Sequence, residues 1–464
     1  MKHIRWISLL ILLSLVLSAC STTAPAAPTP VQQATQPAAA QPPATKQPVK
    51  LTYMLWDSNQ YPPYQKCADN FMAKNPNIQI EISQMGWGDY WTTLTTNMVA
   101  GNAPDVFTDH LAKYPDFVAK GQLMDLQPFI DRDKVDLSIY LPGLADLWVK
   151  DGKRYGLPKD WDTIAVFYSK DMLAKAGVSE EELNKATWNP QDGGTYEQII
   201  AKLTIDENGK NALDPGFDKT KVAVYGLTPF PYDNSGTAYG QTEWSHYAYT
   251  NGWKFNDKLW DTKYYYDDPK FVETIAWIQR LMLEKGYVPP LTDIKSLGGG
   301  AMFKSSKVAM LTDGSWMIVD YKNAPFPVGV AHLSVGPVGR KSMFNGLSDG
   351  IWTGTKHPEE AWQWVKYLAS PECANVVGEA GVVFPAQEAA VQKSIAAWTA
   401  KGMDVTAFTD EALDPNGTFL FPVTQHANEI VQIMGETLDS IFLGKSDPQT
   451  ALTEANKKVN ALFK

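Results

Sequence analysis

The sequence predicts an α/β protein of two lobes, and three observations predict it. From residue 51 onward, stretches with the two-residue period of a strand alternate with stretches carrying the spacing of an amphipathic helix. A chain of 464 residues is longer than one ordinary core organises. Its composition, 44% hydrophobic and 20% charged, is that of a globular protein with enough apolar material for more than one core.

The first 49 residues stand outside that alternation. Lys2 and Arg5 precede an apolar run from Ile7 to Val16, which is too short for a stable membrane-spanning helix. Residues 1–19 are therefore expected to be an export leader. Residues 20–49 are Pro, Ala, Thr and Gln with little else, a composition that cannot bury enough surface to fold. They read as a semi-extended tether.

Folded sequence begins near Lys50. Leu51–Trp56 reads as a strand. A helix follows from about Pro63, with Tyr64, Cys67, Ala68, Phe71 and Met72 on one face. Ile78, Ile80 and Ile82 alternate with polar residues and predict a second strand. A helix from about Asp89 to Ala100 stops at Gly101, and residues 104–107 form a third strand. This order predicts a mainly parallel sheet. Pro158 disfavours helix at Leu157, so the apolar run Ile164–Tyr168 is expected to be a buried strand. Residues 180–222 look like a polar insertion, in which Thr195 and Gln198 fit a capping box. Residues 225–266 are unusually aromatic. Further helices are expected over residues 268–286, 358–369, 426–443 and 448–463, with strands at 308–311 and within 326–355. Cys67 and Cys373 could pair, or serve as small buried hydrophobes.

The net charge of −10 excludes a nucleic-acid partner, which needs basic patches. The 16 Trp and 20 Tyr exceed what a core requires, so some are expected to line a binding surface. Asp160, Trp161 and Asp162 stand at the mouth of the strand beginning at Ile164. Carboxylates accept hydrogen bonds from neighbouring hydroxyls, and an indole covers the apolar face of a sugar ring, so this trio suits a polyhydroxylated ligand.

Catalytic readings fit less well. A glycosidase needs two carboxyls flanking the scissile bond, and Asp160 and Asp162 lie two apart on one strand. Gly346-Leu-Ser-Asp-Gly350 matches a nucleophile-elbow pattern but lacks the helix that should follow at once. It reads instead as a turn that brings Ser348 and Asp349 to a cleft. His110, His246, His332, His357 and His426 are scattered, without metal-ligand spacing. Gly298-Gly-Gly300 lacks the Lys-Ser/Thr of a phosphate loop and reads as a flexible turn. No metal and no cofactor is expected.

Several stretches in order resemble the extracellular solute-binding proteins of ABC importers, in their sugar-binding, maltose-binding-protein-like branch. They are the lipobox-like Leu17-Ser18-Ala19-Cys20, residues 71–80, 100–107, 155–171, 307–316, 357–370 and 381–386. The resemblance implies a two-lobed periplasmic-binding-protein-like fold with a hinge and a central cleft. Lobe 1 would hold residues 50–161 and 321–370, and lobe 2 residues 162–320 and 371–464, with crossings near 162, 320 and 370. It implies cleavage before Cys20 and lipidation of that cysteine, hence an extracytoplasmic protein anchored to the bacterial membrane. It would act as a monomer that captures a mono- or oligosaccharide and docks on the transmembrane permease subunits. The alternatives are a surface-anchored glycoside hydrolase and a binding protein for a non-sugar solute such as glycerol phosphate.

The site implied by the resemblance centres on Asp162, where the family places a sugar-binding carboxylate, with Trp161 beside it at the hinge and Asp160 in a supporting role. Trp316 falls on the family's stacking aromatic, with Asp313 and Ser315 next to it. Asp109 and His110 follow the third strand. Asp109 departs from the maltose branch, which has a Trp there, and so points to a smaller or differently posed sugar. Tyr239, Gln241 and Trp244 align with second-lobe contacts. Asn59, Gln60, Trp56 and Trp87 would add contacts from the first lobe.

Overall fold

The computed structural model of the protein describes residues 48–232 and 239–464. The leader, Cys20 and the tether up to residue 47 lie outside the described residues.

Strand β1 (Val49–Leu55), helix α1 (Tyr61–Lys74), strand β2 (Ile78–Gln84), helix α2 (Trp87–Ala100) and strand β3 (Val106–His110) appear in the expected order. Pro62 and Pro63 occupy the first turn of α1, where backbone N–H groups have no helical partner to lose. Tyr64, Cys67, Ala68 and Phe71 of α1 are buried against the sheet. Helix α2 ends on Gly101 at φ 74°, a left-handed cap. β1 pairs in parallel with β2 and β3.

Strands β4 (Leu157–Asp162) and β5 (Ile164–Ser169) are separated by Thr163 alone, and all their residues are buried. β4 belongs to the first sheet and β5 to a second. The second lobe then adds α3 (Gly194–Leu203), β6 (Ile205–Asp206), β7 (Val222–Thr228), α4 (Pro269–Gln279), β8 (Val308–Gly314) and β9 (Val328–Ala331). Its sheet runs β9-β5-β8-β7-β6. The chain returns to the first sheet with β10 (Ser342–Ile351). Helices α5 (Pro358–Leu368) and α6 (Pro371–Ala380), strand β11 (Phe384–Pro385), helix α7 (Glu388–Ala400) and strand β12 (Thr418–Leu420) follow. Helices α8 (Ala427–Phe442) and α9 (Pro448–Ala461) end the chain, and the Asp447 side chain caps α9 by accepting from Thr450 N–H at 2.9 Å. The first sheet runs β11-β4-β10-β3-β1-β2, with β12 paired to the start of β10.

Five expectations need correction. The sheets are mixed rather than mainly parallel, because β10 arrives from the second lobe and pairs antiparallel with β3 and β4, and β5 pairs antiparallel with β8 and β9. The second crossing comes after residue 320, since β9 still pairs with β5. The third comes well after residue 370. Cys67 of α1 and Cys373 of α6 form a disulfide, Phe384 stacks on Trp161 at 4.8 Å, and α6 and β11 thereby belong to the first lobe. The α8 end packs on the second lobe through Phe230–Phe442 and through Gln279, which donates to the Ile441 carbonyl. The capping box at Thr195 does not form, because the Thr195 hydroxyl accepts from Thr187 N–H instead. Gly299 and Gly300 open a helix instead of forming a flexible turn.

Candidate ligand-binding site

The site lies where β4 leaves the first sheet for the second. Residues two apart on a strand share a face, so Asp160 and Asp162 project together while Trp161 projects to the other side. Across the β4–β10 ladder Asn345 pairs with Asp162 and Leu347 with Asp160, and on the other side of β10 Leu347 faces His110. This places Asp160, Asp162, Asn345 and His110 on one face.

Asp162 accepts the Ser315 hydroxyl at 3.0 Å, a hydrogen bond that joins the end of β4 to the end of β8. Burial, opposed by that hydrogen bond and reinforced by the charge of Asp57, pushes its pKa up to about 7. Asp160 is 1% exposed, and neither of its carboxyl oxygens has a partner among the described residues. Burial first, then the adjacent Asp162, holds it well above the usual carboxylate range. Asp57, in the loop after β1, accepts Asn59 N–H at 2.8 Å and the Gln60 amide at 3.1 Å. Asn59 and Gln60 thus serve to hold Asp57, a residue that the sequence reading passed over.

His110 is pushed down to about 3 by burial and by Lys113, so its ring is neutral. Its Nδ1 accepts from Ala112 N–H at 3.0 Å, which puts the ring proton on Nε2, 3.0 Å from the Asn345 amide. The structure sets Asn345 Nδ2 there and leaves Oδ1 without a partner; because two donors do not bond, the amide is assigned the reverse way, with its oxygen accepting from Nε2–H and its nitrogen left unpartnered. His110 also meets Trp87 edge-on at 5.4 Å, and Trp56 meets Trp87 at 5.0 Å, forming an aromatic corner at the sheet's edge. Trp87 is 39% exposed. Asp109, on the opposite side of β3 from His110, is buried with one oxygen unpartnered.

The second lobe supplies a hydrogen-bonded rail. Asp313 accepts Tyr321 Oη at 2.6 Å, Tyr232 Oη at 3.0 Å and Gly314 N–H at 2.8 Å. Tyr232 in turn accepts from Trp316 Nε1 at 2.7 Å, which fixes the half-buried indole. Residue 314 is glycine because the Trp316 ring lies over it, within 2.3 Å of where a Cβ would stand. Asp313 is therefore an anchor for Tyr232 and Trp316 rather than a free acceptor; burial pushes its pKa up to about 7. Gln241 has its amide nitrogen buried and unpartnered. Phe421 bridges the lobes, 5.6 Å from His110 and 5.0 Å from Tyr239.

Other expected contacts are occupied elsewhere. Trp161 is fully buried, stacked on Phe384 behind the acid-bearing face. Trp244 sits in the second-lobe core among Trp253, Phe255 and Phe271. Tyr239 donates its hydroxyl to the Ala427 carbonyl at 2.9 Å. Ser348 and Asp349 are not on a turn but in the middle of β10. Gly350 permits the close approach of Leu123 and Phe107 to that strand. Asp349 accepts Tyr53 Oη at 2.8 Å, Thr108 Oγ1 at 3.0 Å and Lys159 Nζ at 3.3 Å, so it belongs to a buried structural network. Ser348 lies against Gly156 with its hydroxyl unpartnered. Among the described residues no group of three or more His, Cys, Asp or Glu could hold a metal ion, and no helix is long and apolar enough to cross a membrane.

The profile of the bacterial extracellular solute-binding protein family matches residues 66–407. The maltodextrin-binding protein MdxE of Bacillus subtilis is 22% identical over 346 residues, covering 72% of this chain and 73% of that one. The crystal structure of UspC from Mycobacterium tuberculosis is 27% identical with a TM-score of 0.70, covering 89% of this chain and all of that one. An ABC substrate-binding protein from Listeria monocytogenes, solved in complex with cycloalternan, has a TM-score of 0.75 at 23% identity and covers 89% and 99% of the two chains.

Proposed function

This chain belongs to the bacterial extracellular solute-binding protein family, and we propose that it captures a mono- or oligosaccharide between its lobes and delivers it to an ABC permease. The observation that carries this reading is the first crossing itself, where Asp160 and one end of Asn345 are buried without partners and the Ser315 hydroxyl joins Asp162 to the strand end that carries the fixed indole of Trp316. Hydroxyls of a sugar supply the missing donors, and Trp316, Trp56 and Trp87 cover its apolar face. Relatives whose names or titles give a maltodextrin, a galactooligosaccharide or a cycloalternan as ligand support the carbohydrate class.

Lobe 1 is residues 48–162 and 342–400, lobe 2 residues 164–331 and 427–464, and residues 403–424 run along the hinge. Closure is a hinge motion about Thr163 and its neighbours. Cys20 carries the lipid that holds the protein, as a monomer, at the outer face of the membrane, and residues 21–47 are the tether. The ligand leaves chemically unchanged, because the two acids stand side by side on one strand rather than across a scissile bond.

Titration of the purified protein with mono- and oligosaccharides, read by Trp fluorescence and thermal shift, tests the reading. Saturable binding of a sugar recovered intact is expected. Turnover of the sugar, or the absence of binding by every sugar tried, overturns it. Cys20→Ala is expected to move the protein from the membrane fraction into the medium.

A further inference from the structure

We infer that the sugar taken by this cleft carries a protonated amino group, seated against Asp160 and Asp162. The inference rests on the carbohydrate reading above and narrows its ligand class.

Three carboxyls gather at the first crossing. Asp162 and Asp160 share a face of β4, and the charge of Asp57 reaches both. Their donors are unevenly distributed. Asp57 has two within its own loop, and Asp162 has the Ser315 hydroxyl. Asp160, 1% exposed, has none among the described residues. The cation whose charge reaches Asp160 is Lys159, next to it in sequence and brought to the same face by the bulge in the β4–β10 ladder. Its ammonium is committed to Tyr53 Oη at 2.9 Å, Thr108 Oγ1 at 3.0 Å and Asp349 at 3.3 Å, and it lies 4.0 Å from the Tyr64 ring centroid. The site thus holds two adjacent buried acids, both pushed up by burial, that ionise fully at neutral pH only when a cation joins them, and one of them has no donor among the described residues.

Asn345 supplies a second, independent observation. It is 1% exposed, pairs with Asp162 across the ladder, and has one end of its amide unpartnered. An amide on the same face as the acids provides a neutral contact for a hydroxyl beside the charged one. A neutral sugar brings donors but no charge to balance the pair. An ammonium brings three donors and a full positive charge, and its hydrogen bonds to carboxylates are the stronger, charge-assisted kind. A hydroxylated ring bearing one amine matches both the charge of the acids and the amide beside them.

Isothermal titration at pH 7 with matched pairs tests this: glucosamine against glucose, galactosamine against galactose, and the β-1,4-linked glucosamine disaccharide against cellobiose and N,N′-diacetylchitobiose. At least one amine is expected to bind tenfold or more tighter than its neutral counterparts, with the ratio falling below threefold in Asp160→Asn, the amine losing more affinity than its neutral counterpart. Should that variant not fold, the wild-type ratio decides. Neutral sugars binding as tightly as the amines in every pair overturns the inference and leaves the carbohydrate reading standing. No binding by any member of the panel overturns both. An unchanged amine preference in folded Asp160→Asn overturns the assignment to Asp160.

Discussion

Two acids on neighbouring strands of the first sheet meet opposite fates. Asp349, on β10, is buried and accepts from a tyrosine, a threonine and a lysine. Asp160, on β4, is buried as deeply and accepts from nothing described. Depth does not separate a structural carboxylate from a site carboxylate here; the supply of donors does. Asp349 with Lys159 ties β10 to β1, β3 and β4. Asp160 makes no hydrogen bond among the described residues that would offset its burial, and its orphaned oxygens are what the proposed ligand site rests on.

The comparison breaks most visibly through Lys159→Met. Removing the lysine strands Asp349 in the interior, and loss of one partner of a buried pair costs about 3–5 kcal/mol. Urea denaturation is expected to show a loss of that order, with sugar affinity of the folded protein close to wild type. A loss of binding without a loss of stability would move the Lys159 network into the site.

The pH dependence of stability comes next. The folded-state pKa of Asp162, about 7, lies above the ~3.9 of an unfolded Asp, so the folded state holds the proton more tightly. The associated stability is complete below pH ~4 and is lost as pH rises through about 7, by up to about 1.4 kcal/mol per pH unit. Asp162→Asn is expected to flatten that part of a melting-temperature profile between pH 4 and 7. The slope that remains belongs to the other buried acids: Asp313, raised to about 7, Glu243 and Glu411, each raised to about 8, and Asp160, Asp109 and Asp57, which burial also raises.

Asp162→Ala and Trp316→Ala are each expected to weaken sugar binding by well over tenfold, more than about 1.4 kcal/mol, in a protein that still folds. Asp349→Asn should leave the affinity of the folded fraction nearly unchanged. Equal binding losses in all three would erase the distinction between the two acids. The smallest effect runs the other way: Asp160→Asn replaces a buried carboxyl held well above its usual range by a group that never ionises, and is expected to stabilise the unliganded protein by about 1 kcal/mol at alkaline pH, where the carboxyl would have to charge.

Much of this was legible from the chain. The strand–helix order from β1 to β3 follows from hydrophobic period and from Pro and Gly at the helix ends. Asp162 and Trp316 stand out in the chain because each sits in a local motif at a strand end, and both remain part of the proposed site. What was missed depends on partners distant in sequence. Asp57 and Asn345 gain meaning only when β1, β4 and β10 lie side by side, and Tyr232 only when Asp313 and Trp316 close on it. Ser348 and Asp349 were misplaced because two glycines suggest a turn. Gly350 instead makes room for Leu123 and Phe107 against a buried strand. Trp161 and Trp244 were assigned to the ligand because an indole is equally at home in a core, and only their packing against Phe384 and Phe271 separates the two roles. The crossings were placed early because nothing local marks where β9 ends its sheet, or that Cys373 returns to Cys67.

The most direct test is a crystal structure of the protein with a bound sugar. The account predicts sugar donors within hydrogen-bond reach of Asp162 and of both Asp160 oxygens, with the Trp316 indole covering a ring face. A sugar bound away from the first crossing, with the Asp160 oxygens still unpartnered, would contradict it.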